Sequence, residues 1–157
     1  MRRFLTAALL ALPLPAIAQD HDDHLSQQGA LHALHAWTRA TDGPVAHVFV
    51  ELENEGAEPV LIEGATSDIS QGGALVAFRL ENGEAAWEVI PAVPIAPGRA
   101  LHLEPDALAI RLDGLTRDLH AGDGFGMHLL TSIGELDLHV AVEAANAAHH
   151  SHAGHMH

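Results

Sequence analysis

Between residues 31 and 143, apolar and polar side chains alternate in short runs separated by turn-forming residues, and no run keeps the three-to-four residue spacing of a long amphipathic helix. In VAHVFVELE, residues 45–53, Ala46, Val48, Val50 and Leu52 share one face while His47, Phe49 and Glu51 share the other. ELDLHVAVE, residues 135–143, repeats the pattern, with Leu136, Leu138, Val140 and Val142 inward and Asp137, His139 and Ala141 outward. A period of two predicts strands buried on one side. Further strands are expected at 60–65, 74–80, 86–90, 100–104, 108–112 and 126–131. Asn82-Gly83 is the dipeptide of a tight hairpin, and Gly72-Gly73, Pro97-Gly98, Pro105-Asp106, Asp113-Gly114 and Gly122-Asp123-Gly124 mark other turns. Such spacing predicts an all-β domain over 31–143, a Greek-key sandwich or barrel of about eight or nine strands.

Both ends leave this pattern. Residues 1–18, MRRFLTAALLALPLPAIA, place Arg2 and Arg3 before an apolar stretch and close on Ala16-Ile17-Ala18, which predicts a signal peptide cleaved after Ala18 and a periplasmic protein. The stretch is shorter than the roughly 20 residues needed to cross a bilayer and holds Pro13 and Pro15, so no membrane insertion is expected after cleavage. Residues 19–30 are rich in His and Asp, and 144–157 are Ala, His and small residues with little apolar bulk to pack. Both are expected to be disordered arms.

Charge then narrows the partners. Cleavage removes two of the seven arginines and none of the 21 carboxylates, leaving 5 − 21 = −16 with no lysine. Nucleic acid and anionic lipid are poor partners for such a surface, and no nucleic-acid partner is expected. The chain has no cysteine, so metal chemistry is limited to imidazole, carboxylate and thioether, the last from Met127 and Met156 alone in the mature chain. No H-E-x-x-H, G-x-S-x-G or glycine-rich phosphate loop is present, and the protein is not expected to be an enzyme.

Candidate chemistry therefore concentrates in the arms. HHSHAGHMH, residues 149–157, sets His149, His150, His152, His155 and His157 around Met156. Several imidazoles on a loose segment close around a divalent ion, Cu(II) ahead of Zn(II) or Ni(II) at equal availability. A mature terminus Gln19-Asp20-His21 offers an amine, two amides and an imidazole in the square-planar arrangement that suits Cu(II) or Ni(II), with His24 beside it. His47, His128 and His139 within strands are read as surface or structural residues, and His32 and His35 as part of an edge strand.

AWTRAT (36–41), VAHVFVELEN (45–54), APGRALHLEPDALAIRLDGL (96–115) and LHAGDGFGMHLL (119–130) resemble, in that order, the periplasmic copper chaperones of the PCu(A)C family. The resemblance implies a cupredoxin-like β-barrel that carries copper, with a cytochrome oxidase assembly protein or another periplasmic copper acceptor as partner. It also implies a Cu(I) site of histidines and methionines. Its His-x-Met falls on Ala109-Ile110-Arg111 and its earlier histidine near Ala77, so the chain reads as a divergent member without those ligands. Two functional expectations follow: a carrier that grips a divalent metal, copper first, through its arms, or a partner-binding β-module with a degenerate site. A Zn- or Ni-handling accessory protein is the variant of the first.

Overall fold

A computed structural model describes residues 25–150. Its strands are β1 (Leu25–Gln28), β2 (Leu31–Arg39), β3 (Val45–Asn54), β4 (Val60–Thr66), β5 (Gly72–Glu81), β6 (Glu84–Val89), β7 (Val93–Ile95), β8 (Arg99–Leu103), β9 (Leu108–Asp113), β10 (Gly124–Thr131) and β11 (Gly134–Glu143). Hydrogen bonding runs β2-β11-β10-β4-β5-β9-β3, and a β2–β3 pairing closes the ring into a barrel. The β11–β2 pair is parallel. β1, β6, β7 and β8 attach outside the ring to β2, β5, β4 and β3.

The all-β expectation holds, with eleven strands where eight or nine were expected. The additions are β1 and β7, β2 being the strand expected around His32 and His35. Residues 25–28, assigned to the N-terminal arm from their polarity, pair with β2 around Gly29, whose φ of 60° suits the turn. β2 is not the edge strand expected for His32 and His35, since it pairs with β1, β3 and β11. Its alternation is hidden because a bulge falls between Leu34 and Trp37, so that Ala36, Trp37 and Thr38 are buried in succession. At Asn82-Gly83, φ values of 53° and 86° give the expected two-residue turn, closing Glu81 onto Glu84.

The barrel interior is filled by the inward parity of the ring strands, including Val48, Val50 and Leu52 of β3, Leu75 of β5, Ile110 and Leu112 of β9 and Leu136 and Leu138 of β11. Asn54 is fully buried at the end of β3. Its Nδ2 donates to the carbonyls of Glu58 and Ile95, and its Oδ1 accepts from Gly56 N–H, pinning two loops to the strand.

Phe49 departs from the expected pattern: placed outward by parity, it is 2% exposed. A second apolar cluster on the outer wall accounts for this, made of Trp37, Phe49, Val76 and Ala109 and flanked by Trp87 of β6 and Ala147. These side chains come from β2, β3, β5 and β9, neighbours in the ring. The β5–β6 hairpin and the segment after β11 cover them.

Candidate metal centre

Of the residues expected to hold metal, His21, His24, His152, His155, Met156 and His157 lie outside the described residues. His149 and His150 lie within them. The tail was expected to have too little apolar bulk to pack, yet a single methyl is enough here: Ala147 sits against the outer cluster, and Arg39 Nε donates to its carbonyl at 2.7 Å. That anchor fixes where the next residues go. The His150 ring stacks on His35 with centroids 5.6 Å apart and planes 28° from parallel. His150 Nδ1 also lies 2.8 Å from Glu143 Oε1, both side chains being largely buried.

Beside this stack is a cleft of about 160 Å³ lined by His35, His102 and His149, with Glu51, Glu104 and Trp37. His35 stands at the β2 bulge with φ of 54°, the left-handed region that few residues other than Gly adopt. His102 is exposed on β8, directly opposite Glu51 of β3. Among the described residues, no three His, Asp or Glu side chains already surround a common point as metal ligands would. Sequence reasoning missed His35 and His102 as neighbours of the tail. The only local signal was the broken alternation in LHALHAWTR, and nothing local encodes which strand His102 faces.

A larger cavity, about 360 Å³, is lined by Arg39, His47, Phe49, Phe78 and Trp87 among others. His47 stacks on Trp87 at 4.7 Å, and Phe78 meets the same indole edge-on at 5.4 Å. The His47 carbonyl accepts from Thr38 Oγ1 at 2.8 Å. His47 Nε2 is buried and has no hydrogen-bond partner among the described residues. Burial lowers the His47 pKa below its ordinary value, and Arg111 and Arg39 add to that against an opposing pull from Asp113. Neutral imidazole is the form that meets a metal or accepts a proton. One imidazole without neighbouring donors is a weak metal site.

The positions that the resemblance assigned to Cu(I) ligands lie on the paired strands β5 and β9. Ala77 pairs with Glu88 on β6 and with Leu108 on β9. Ala109 is fully buried in the outer cluster, Ile110 faces the barrel interior, and Arg111 Nε donates to Asp113 Oδ2 at 3.1 Å. Glu88 is ion-paired with Arg79. Methyl and alkyl groups offer an ion no lone pair, and a guanidinium repels it.

His128 and His139, read as strand-surface residues, are exposed on β10 and β11. His128 Nδ1 lies 2.6 Å from Asp137 Oδ1 across the β10–β11 pair, and this hydrogen bond raises its pKa.

A family profile described as "Putative lipoprotein LpqE-like" matches residues 31–142. The chain is 30% identical over 125 residues to the "Putative lipoprotein Lxx21020" of Leifsonia xyli subsp. xyli (strain CTCB07), an alignment spanning 79% of this chain and 74% of that protein. In three dimensions it is similar to the apo PCuAC domain of PmoF2, with a TM-score of 0.67 and 22% identity over 81% of this chain and all (100%) of that one. The copper-bound PCuAC domain from PmoF2 gives 0.65 at 20% identity, covering 77% and 98%. The solution structure of apo-DR1885 from Deinococcus radiodurans gives 0.56 at 20% identity, covering 92% and 97%. At these identities the likeness is one of fold.

Proposed function

The chain belongs to the LpqE-like family and has the PCuAC fold, and from that premise we propose that it is an exported copper carrier. It holds Cu(II), or another divalent ion such as Zn(II) or Ni(II), through its histidine-rich arms and passes it to a periplasmic acceptor, a cytochrome oxidase assembly protein being the partner that the PCu(A)C resemblance implies. His149, His150, His152, His155 and His157 are the leading ligands, with Met156 as a soft contact and His21 and His24 as a second site. Export is supported by the leader-like residues 1–18 and by the lipoprotein names of the family and of its relative.

The observation that carries this reading is the seating of the tail: Ala147 is anchored on the barrel and delivers His149 and His150 beside further imidazoles. Copper as the cargo draws on the copper-bound PCuAC domain of the same fold. Alanines and an arginine at the resemblance's Cu(I) positions favour a divergent member whose binding has moved to imidazole, a Cu(II) ligand set.

Titration of the mature protein with Cu(II), read by equilibrium dialysis, tests it. Binding of one or two ions that is mostly lost when residues 149–157 are deleted supports the carrier. Equal binding with and without the tail overturns it and leaves the partner-binding module, whose recognition cavity would be the one beside His47 and Trp87.

A further inference from the structure

His35 of β2, His102 of β8 and His149 of the tail come from three distant stretches of chain, yet they open on one cleft of about 160 Å³. Glu51 lies in the same wall and is directly opposed to His102 across the β3–β8 pair. Directly opposed residues of an antiparallel pair carry Cβ atoms about 4.5–5.5 Å apart, so an imidazole and a carboxylate placed there reach a common ion. His35 sits on the same side because the bulge after Leu34 breaks the alternation of β2. Its φ of 54° belongs to that bulge, a left-handed conformation that fixes where the ring leaves the strand.

We infer that this cleft is a composite divalent-metal site, in which His35 and His102 of the barrel and His149 of the tail supply nitrogen and Glu51 supplies oxygen. The inference rests on the reading of the tail as a metal carrier, and it adds that the barrel is a ligand and not only a scaffold. His102 and His149 are both exposed, so their side chains are able to rotate onto an ion. Closure by the ion itself is the ordinary behaviour of sites whose ligands come from separate segments. Among the described residues no methionine lines the cleft, and the chain contains no cysteine, so the donor set there is imidazole and carboxylate, which selects Cu(II), Zn(II) and Ni(II) over Cu(I). Among these the order of intrinsic affinities favours Cu(II).

Trp37 lines the same cleft, whereas the other tryptophan, Trp87, lines the larger cavity. A full-length mature protein carrying Trp87→Phe therefore reports on the cleft by quenching of Trp37 fluorescence by Cu(II). In that background, His102→Ala and His35→Asn are compared with the parent by Cu(II) titration and by the nitrogen hyperfine structure of the Cu(II) electron paramagnetic resonance spectrum. Asn tolerates the left-handed backbone at residue 35 and so preserves the bulge. Loss of even an outer partner of a metal ligand costs about 10–100-fold in affinity, so each variant is expected to weaken the first ion by at least about tenfold. Each is also expected to reduce the nitrogen hyperfine structure and to lessen quenching, with the circular dichroism spectrum unchanged.

If both variants bind Cu(II) with the parent's affinity and spectrum while deletion of 149–157 abolishes uptake, the composite site is wrong and the tail alone carries the metal. If deletion of the tail leaves uptake intact while the barrel variants lose it, the carrier reading and the composite site fail together.

Discussion

At the scale of single residues, two histidines titrate in opposite directions for opposite physical reasons. His47 is desolvated between Trp87 and the outer cluster and is repelled by Arg111 and Arg39, so its pKa lies below the ordinary 6.5. As pH falls, the unfolded chain takes up the proton first. The stability that His47 contributes is complete above pH of about 6.5, declines below it, and stops declining once the folded imidazole also protonates. Replacing His47 with Gln should flatten the acid side of the thermal-unfolding profile over that window, and an unflattened profile would show that the ring is solvated. His128 behaves conversely. Its hydrogen bond to Asp137 raises its pKa against the opposing effect of desolvation, and the charges of Asp137, Glu135 and Asp68 add to the rise. The contribution is present below pH of about 6.5 and is lost as pH rises through the raised folded value. In Asp137→Asn, the His128 imidazole resonances should titrate at lower pH than in the parent, and an unmoved midpoint would rule the pair out as the cause.

At the scale of elements, the period of two located β3, β4, β5, β8, β9, β10 and β11 because each buries one parity against a single interior, and β6 because it follows the Asn82-Gly83 turn. It failed where that premise fails. β2 carries a bulge, β1 is polar and attaches outside the ring, and β7 is three residues long with a proline at its centre. Phe49 was misplaced because the outer wall of β2, β3, β5 and β9 has a small core of its own, which only the tertiary return of the β5–β6 hairpin and the tail creates. The same limit explains the candidate site. A cluster of imidazoles within residues 149–157 is visible in one line of sequence, whereas the approach of His149 to His35 and His102 depends on strand order and on one methyl contact. Magnitude separates the two descriptions of Phe49. A surface Phe→Ala change costs within about 0.5 kcal/mol, whereas truncating a buried one costs about 3–5 kcal/mol, so Phe49→Ala should destabilise urea unfolding by the larger amount. Asn54 offers a second measure of tertiary wiring. Asn54→Ala removes one acceptor and two donated bonds and leaves the Gly56 N–H and the Glu58 and Ile95 carbonyls to find new partners. A loss of about 2 kcal/mol or more in the same urea experiment is expected.

At the scale of the whole molecule, the question is whether the ion sees a folded protein or merely a string of imidazoles. A ligand stabilises the native state only insofar as it prefers that state to the unfolded one. Histidines 149 to 157 are present in both states, so an ion held by the tail alone binds both alike and leaves the unfolding temperature where it was. An ion closed between His149 and the barrel residues His35, His102 and Glu51 loses most of its ligands when the barrel opens. At a free Cu(II) concentration a hundred times the dissociation constant, that preference is worth about 2.7 kcal/mol, which for a domain of this size raises the midpoint by on the order of 10 °C. The shift should shrink when Arg39→Gln removes the donor that anchors Ala147, because the tail then approaches the cleft less often. It should also vanish below the pH at which the imidazoles take up protons in place of metal. Calorimetric unfolding of the protein with and without Cu(II) decides the matter: an unchanged midpoint under saturating metal means that the barrel plays no part in holding it.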